Sequence, residues 1–178
     1  MDHFLEEVVV NRKPLLANIA HAFANVIMVV FGLIGFVTLR GCFGGEGMVL
    51  FIIITAFFLG IAFLLFLYRD RLKTEYEYTF TNGDLDFAKV FNNQKRKTLG
   101  TMRVKNVEAF GPVDSEHFRK LINMPNIKRR NWFLNRGANL YYFYYQKENS
   151  EKHMIIFEPS DEMVSYIRKY LPRGVYQQ

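Results

Sequence analysis

Two long apolar segments dominate the hydrophobic pattern of the first half of the chain. Residues 15–39 and 48–68 contain no Asp, Glu, Lys or Arg, and the second is apolar on every side. As helices they would measure about 37 Å and about 31 Å, enough to cross a hydrocarbon core of about 30 Å. The remaining residues are too few to surround two such helices in a soluble core. The pattern therefore predicts two membrane-spanning helices.

The eight residues between the segments, 40–47, include four glycines and predict a short outer loop between antiparallel helices. This loop holds a single basic residue, whereas five basic residues flank the pair on the other side: Arg12, Lys13, Arg69, Arg71 and Lys73. Because cytoplasmic flanks of membrane spans carry the excess of Lys and Arg, both termini are expected in the cytoplasm. The predicted location is the cell membrane, with an N-terminal juxtamembrane segment, 1–14, and a basic linker, 69–74.

Polar and small residues interrupt both segments at helical spacing. Those of the first segment continue along one face: Asn18, His21, Asn25, Gly32 and Gly35. The second segment carries the small pair Ala56 and Gly60. Small residues let helices approach closely, and hydrogen bonds between helices satisfy buried amides, so we interpret these seven positions as a packing seam. A proton or ion site at His21 is the alternative, and the absence of charged residues from both segments disfavours it.

Residues after the second segment follow the two-residue period of half-buried strands. Residues 75–81 alternate strictly, with three aromatic residues on one face. Asn82-Gly83 then suits the tight turn of a hairpin. The returning strand, 84–91, loses its phase at Lys89, which indicates a bulge or a rim position. Further strands are expected over 96–102, 104–110, 140–146 and 153–157.

The last helix of the sequence has the clearest signals. Ser160 is a suitable N-cap, acidic residues follow it, and basic residues precede the proline that stops the helix. One face is apolar and must be buried: Met163, Ile167, Tyr170 and Leu171. Residues 115–123 also have a helical pattern, and 128–134 fit either a strand or a loop. We therefore expect six or seven antiparallel strands over residues 75–172, forming a curved sheet or barrel that the last helix closes, and a tail, 173–178.

This order of elements resembles the pleckstrin-homology-like fold of bacteria. The chain is also similar to a small family of two-span membrane proteins from Gram-positive anaerobic bacteria, known as a domain of unknown function. The matching stretches are Met1–Val10, Glu75–Asp86 and Ile155–Pro159. The resemblance implies an α+β membrane protein with a transmembrane helical hairpin and a PH-like cytoplasmic domain, and it implies no activity. The acidic turn at 81–84 lacks the basic residues that eukaryotic phosphoinositide binders carry around their first hairpin.

The first ten residues allow two interpretations. Phe4, Leu5, Val8 and Val9 would form an apolar stripe if the segment were a helix lying on a membrane. The run Val8-Val9-Val10 would equally suit a strand added to the edge of a sheet. In both cases we expect the segment to be ordered and docked.

Charge is distributed unevenly along the chain. The net charge is +6, and residues 69–178 carry 20 Lys and Arg against 13 Asp and Glu. One basic triplet is expected in a turn between strands, and another precedes Trp132, which with Phe133 is expected as a surface contact. The triplets are Lys95, Arg96, Lys97 and Lys128, Arg129, Arg130. Together with Arg69, Arg71 and Lys73 they are candidate contacts for anionic lipid head groups, and solvated turns are the alternative.

The sequence lacks the common patterns of catalytic and metal sites. It has no Gly-x-x-x-x-Gly-Lys-Ser/Thr loop, no His-Glu-x-x-His motif and one cysteine, Cys42. Asp84 and Asp86 share a strand face beside a turn, where a solvated surface is the usual role. The tyrosine-rich run 141–145 alternates between both sheet faces, and we expect core on one side and an amphipathic surface on the other. We therefore predict no enzyme activity, no cofactor and no metal.

The predicted function is a membrane-anchored cytoplasmic binding or scaffold module. Its expected partners are the lipid bilayer and either anionic lipids or a membrane protein, and no nucleic acid is expected. An accessory subunit of a membrane transport or secretion complex is one alternative, and a lipid-modifying enzyme is another. The sequence leaves the ligand, the partner and the oligomeric state open.

Overall fold

The computed structural model describes residues 3–147 and 149–177. The chain forms two compact units. Lys13–Thr74 is named the hairpin unit, and Met1–Arg12 together with Glu75–Gln178 is named the sheet unit. The residues before the first apolar helix therefore belong to the same unit as the residues that follow the second.

Two antiparallel helices make up the hairpin unit. Helix α1 is Pro14–Thr38 and α2 is Met48–Tyr68, and each is followed by a 3-10 turn, at Leu39–Phe43 and Arg69–Leu72. A proline begins α1, where its missing N–H removes no helical hydrogen bond. Both helices are long and apolar enough to cross a membrane. The prediction of two long apolar helices is confirmed.

The first sheet of the sheet unit contains four antiparallel strands in chain order. They are β1 Phe4–Val9, β2 Thr74–Thr81, β3 Asp84–Phe91 and β4 Lys95–Arg103. Asn82 at φ +48° and Gly83 at φ +96° form the turn between β2 and β3, in the left-handed conformation that this dipeptide tolerates. The register between β3 and β4 shifts at Phe87 and Ala88, so the irregularity predicted near Lys89 is confirmed.

Strand β1 precedes the hairpin unit in the chain, yet it pairs antiparallel with β2, which follows that unit. Phe4 lies opposite Thr81, and Val9 lies opposite Tyr76. Burial alternates along β1, as expected for an edge strand, and Val9 reaches the core. The strand interpretation of the N-terminal segment is therefore right, and the helix on a membrane surface is wrong.

The second sheet has the strand order β5-β7-β8-β6. Its strands are β5 Ala109–Pro112, β6 Ile127–Trp132, β7 Tyr141–Gln146 and β8 Lys152–Phe157, and a short helix, α3, spans Glu116–Ile122. Strand β8 inserts between β7 and β6 and runs parallel to β6. The expectation of purely antiparallel strands is wrong at this pair, because β8 hydrogen-bonds to both neighbours and only β7 is joined to it by a hairpin.

The strand predicted over 104–110 is also wrong. The chain makes a 3-10 turn at Val104–Asn106, and β5 begins only at Ala109. Val104 and Val107 are both buried, three residues apart, and that spacing suits a 3-10 turn better than an alternating strand. The turn is fixed by Val104 N–H, which donates to Gly83 O at 2.9 Å.

Two cores lie on opposite faces of the second sheet. The larger one fills the space between the sheets and includes the apolar face of the last helix, α4, Asp161–Tyr170. The smaller one lies between the second sheet and α3. Ser160 Oγ accepts from Met163 N–H at 3.2 Å, which confirms the predicted N-cap. Within the described residues the two sheets do not join into a closed barrel. Of the two predicted arrangements, a barrel and a curved sheet covered by the last helix, the structure favours the second.

Candidate functional site

The two basic triplets lie in edge strands of the two sheets rather than in turns. Lys95–Lys97 open β4, which is last in its sheet, and Lys128–Arg130 lie in β6, which is last in the other. The two edges approach each other, since a Cβ built on Gly100 would lie 3.8 Å from the Trp132 ring. All six triplet side chains are exposed. The structure therefore places both triplets on unpaired sheet edges that border the gap between the sheets.

Several of these charges already have partners within the sheet unit. Arg96 Nε lies 2.8 Å from Glu77 Oε2, and Lys128 Nζ lies 2.5 Å from Glu151 Oε1. The Arg129 guanidinium donates to a backbone carbonyl at the end of α3. Hydrogen bonding from Lys128 lowers the pKa of Glu151 to about 2. The positive potential of the edges is consequently smaller than a count of six charges indicates.

Trp132 and Phe133 are not surface contacts. Trp132 is 7% exposed, and its ring lies 4.7 Å from that of Phe87, across the gap between the sheets. Phe133 is half-buried against the smaller core. The Arg130 guanidinium lies over the Trp132 ring, 5.8 Å from its centre, in a cation–π contact. A basic triplet, Lys128–Arg130, precedes Trp132 in β6, and the pairing of β6 with β8 directs the indole inward.

The tyrosine-rich strand β7 has core on both of its faces. Phe143 belongs to the larger core with Tyr141 and Tyr145 beside it, while Tyr142 and Tyr144 belong to the smaller one. Helix α3 covers the face on which we expected an amphipathic surface. Burial raises the pKa of the Tyr142 phenol, whose hydroxyl lies 2.9 Å from His117 Nδ1.

The basic residues that follow α2 in the hairpin unit make other contacts than those of the sheet edges. The Arg69 guanidinium donates to Asn25 Oδ1, and its Nη1 lies 3.7 Å from Met28 Sδ. Arg71 lies over the Tyr68 ring at 4.5 Å. Lys73 is half-buried and immediately precedes β2. Arg69 is thus directed into the hairpin unit rather than outward.

The close contact between α1 and α2 is narrower than the seam we predicted. A Cβ on Gly35 would lie 2.6 Å from Leu59 Cδ2, so only glycine fits there without a shift. No atom lies within 4 Å of such a Cβ on Gly32 or Gly60. Asn18 and Ala56 are exposed in the hairpin unit. These four residues therefore lie outside the close contact between the helices.

A second polar contact joins the helices near the loop. Thr38 Oγ1 lies 2.8 Å from Thr55 Oγ1, and Cys42 Sγ lies 3.5 Å from the same Thr55 atom. Thr55 is buried, at 5% exposed. A hydroxyl pair of this kind satisfies two polar groups that lipid could not.

Sequence reasoning missed the cluster that surrounds His21. We expected no charged partner for it, but His21 Nε2 lies 3.5 Å from Asp70 Oδ1, and Asn25 links His21 to Arg69. Asp70 is 8% exposed. Both charged residues follow α2 directly, outside the apolar segment, so a search confined to the segments could not find them. The available signal was the Arg69-Asp70 pair next to the end of a span.

The sheet unit has clefts at several places on its surface. One of about 790 Å³ lies between β4 and the end of β7 and is lined by Arg103, Tyr145 and Lys147, among others. Another of about 450 Å³ borders β1 and includes Glu7, whose pKa is raised by burial, and Glu158. Glu158 accepts from Asn135 N–H at 3.1 Å. Among the described residues no group of His, Cys, Asp and Glu is arranged to hold a metal ion.

The sheet unit thus consists of two packed sheets whose shared core is closed by a C-terminal helix. The chain belongs to the family described as "Bacterial PH-like domain (DUF6106)", which matches residues 1–177 and therefore includes both apolar helices. No curated protein and no solved structure matches the chain significantly. The family resemblance drawn from the sequence is confirmed, and the family is one of unknown function.

Proposed function

We propose that the chain is a membrane-anchored, non-catalytic binding module. The hairpin unit spans the cell membrane, and the sheet unit lies on the cytoplasmic side, where its basic edges contact anionic lipid head groups. PH-like domains generally serve as binding modules without catalysis, which supports this assignment. The single observation that carries it is the pairing of β1 with β2.

That pairing restricts the topology. Strand β1 enters α1 directly, and α2 leads directly into β2, so the two ends of the helical hairpin connect to adjacent strands of one sheet. Two antiparallel spans with ends in one sheet must begin and end on the same side of a membrane. Five basic residues near these ends, against Arg40 in the loop, support the cytoplasm as that side.

The basic edges support a weak and unspecific contact rather than a tight pocket. Each Lys or Arg near an anionic surface contributes on the order of 1 kcal/mol, and salt screens it within a Debye length. Partners at Arg96, Lys128 and Arg129 reduce this sum. An anchor offsets the weakness, because it keeps the local concentration of the sheet unit near the membrane high.

Topology is tested by labelling the loop in intact cells. Gly45 is exposed with open space around it, so Gly45→Cys in a Cys42→Ser background offers an accessible thiol. A membrane-impermeant thiol reagent should label it from outside, while Lys105→Cys in the sheet unit should react only after lysis. The reverse pattern would overturn the cytoplasmic assignment, and labelling of both positions in intact cells would exclude a two-span arrangement.

Lipid contact is tested on the full chain in nanodiscs, because the sheet unit includes β1 and no later fragment contains it. Amide exchange in β4 and β6 should slow in anionic relative to neutral lipid, and salt should remove the difference. Changing Lys97 and Arg130 to Ser should remove it too. The matched control changes Arg119 and Lys120, both exposed on α3, to Ser. Equal exchange in both lipids at low salt would refute the contact.

A second candidate is an accessory subunit of a membrane transport or secretion complex. It is favoured by the outward position of Gly32 and Gly60, which have no atom within 4 Å of a Cβ and would let another helix approach closely. Gly32→Leu and Gly60→Leu should then abolish co-purification of a membrane partner without disturbing the sheet unit. Co-purification that survives both changes would refute this candidate.

A further inference from the structure

Hydrogen-bond direction in the His21 cluster fixes the protonation of His21. The Arg69 guanidinium only donates, so the Asn25 atom that faces it is the accepting Oδ1. The Asn25 amide nitrogen then faces His21 Nδ1 at 3.3 Å and donates to it. Nδ1 therefore carries a lone pair, and the single ring proton of a neutral imidazole lies on Nε2.

The cluster is only partly satisfied in this arrangement. His21 Nε2 lies 3.5 Å from Asp70 Oδ1 but lacks hydrogen-bond geometry. Within the described part of the chain, His21 Nε2 and Arg69 Nε are buried and without a hydrogen-bond partner. Buried donors without acceptors are unfavourable, so a small change in charge can shift the cluster to a competing set of contacts.

We propose that His21 is a proton-binding switch that decides whether Asn25 holds Arg69. A proton added to Nδ1 would face the Asn25 N–H, and two donors repel each other. The Asn25 amide then turns over, its Oδ1 accepts from the imidazolium, and Arg69 loses its partner on α1. The imidazolium gains the Asp70 carboxylate as its counter-ion. The only covalent change is the new N–H bond, whose proton comes from solvent.

Charged groups beside His21 come from one end of the hairpin unit. Arg69 and Asp70 come from the turn after α2, and neither helix carries an Asp, Glu, Lys or Arg. Tyr68 is the one titratable residue of α2, and it lies under Arg71. Arg40 belongs to the turn at the other end. The Arg69, Asp70 and His21 side chains therefore sum to no net charge with neutral His21 and to one positive charge when it is protonated.

The consequence is a link between local pH and a juxtamembrane cation. While His21 is neutral, the Arg69 guanidinium is hydrogen-bonded to Asn25 on α1. After protonation of His21 it becomes available to an anionic head group. That last step rests on the proposed function. The exchange of Asn25 between Arg69 and His21 rests only on the contacts inside the hairpin unit, and the two parts are separable by experiment.

The test is nitrogen NMR of the full chain in neutral-lipid nanodiscs, with histidine and arginine labelled with ¹⁵N. His21→Gln and Arg69→Lys assign the two residues. While His21 is neutral, the ring nitrogens should report a proton on Nε2 alone. When acidification adds a proton to Nδ1, the Arg69 guanidinium protons should exchange faster, in step with that change. Neutral lipid keeps this result independent of any head-group contact.

Two variants sharpen the outcome. Asn25→Leu should leave Arg69 exchange fast at every pH, so that it no longer follows His21. Asn18→Leu is the matched control, since Asn18 lies on the same helix but is exposed, and it should leave both signals unchanged. A neutral His21 ring that carries its proton on Nδ1 in the unmodified chain would overturn the proposal. Arg69 exchange that stays the same when His21 gains a proton would do so as well.

Discussion

Phenylalanine occupies opposite environments in the two units. In the hairpin unit Phe23, Phe36 and Phe63 are 61–68% exposed, whereas Phe80, Phe87 and the other phenylalanines of the larger core are fully buried. The sheet unit therefore gains stability by removing apolar side chains from water. The hairpin unit buries little of its own surface, so its pairing depends on a few contacts: the Gly35 approach, the Thr38–Thr55 hydroxyls and the His21 cluster.

The difference teaches where each unit is vulnerable. The sheet unit, which is held by buried apolar cores, loses stability when a charge is placed in a core or when a core side chain is shortened. A hairpin whose outer surface is apolar tolerates most apolar changes and is sensitive at the few positions where the helices touch. The following changes test this contrast, beginning with the largest expected effect.

The largest effect is expected for Ile167→Asp in the sheet unit. Ile167 is fully buried on α4, and an unpaired carboxylate there should cost several kcal/mol, a large part of the stability of a small domain. Denaturant unfolding of the full chain in detergent, followed by near-UV circular dichroism, measures the loss. Ser165→Asp, exposed on the same helix, is the control. Equal stability of the two variants would mean that α4 does not close the core.

Tyr78→Phe should have the next largest effect. The buried Tyr78 hydroxyl donates to Trp132 O and accepts from Glu158 N–H at 3.3 Å, so its removal leaves two backbone groups unpaired. The expected loss in the free energy of unfolding is about 1–3 kcal/mol. Tyr76→Phe is the matched control, because its single contact with Asn131 O is long, at 3.4 Å. A loss as large for Tyr76 would show that the hydroxyl network does not join the sheets.

In the hairpin unit, Gly35→Ala should separate the helices. The new methyl group would meet Leu59, and the expected cost is about 1 kcal/mol because this side chain can move. Distances between spin labels at Phe23 and Phe63 in the Cys42→Ser chain measure the separation. Gly32→Ala adds the same methyl group in open space and should change nothing. Identical distances in both variants would place the contact elsewhere.

The smallest effect is expected at Glu151, on the rim of the sheet unit. Hydrogen bonding from Lys128 lowers the pKa of Glu151 to about 2, below its ordinary value of 4.5. A depressed carboxyl pKa stabilises the fold above the unfolded value, and this contribution is lost as the pH falls from about 4.5 to about 2. Glu151→Gln should therefore make stability less steep in that range. Glu108→Gln, at an exposed position, should keep the slope of the parent chain, and a parent-like slope in Glu151→Gln would refute the assignment.

The sequence by itself determined the features that neighbouring residues encode. Uninterrupted apolar runs predicted α1 and α2, Asn82-Gly83 predicted the β2–β3 turn, and Ser160 with its following acidic residues predicted the start of α4. Each depends on local backbone preference or on the period of burial, which a contiguous stretch contains in full. The family assignment belongs here as well, because its matching stretches are continuous.

Only the tertiary structure decided which distant segments meet. Pairing of β1 with β2 joins residues on either side of the hairpin unit. The parallel pairing of β6 with β8 turns Trp132 into the core, although the basic triplet Lys128–Arg130 of the same strand is exposed. The contact of His21 with Asp70 likewise depends on how α1 and α2 are aligned. Such contacts are chosen by the simultaneous burial of several elements and the satisfaction of their polar groups. A local sequence pattern cannot predict these contacts, because each segment fits its own helix or strand whichever distant segment it packs against.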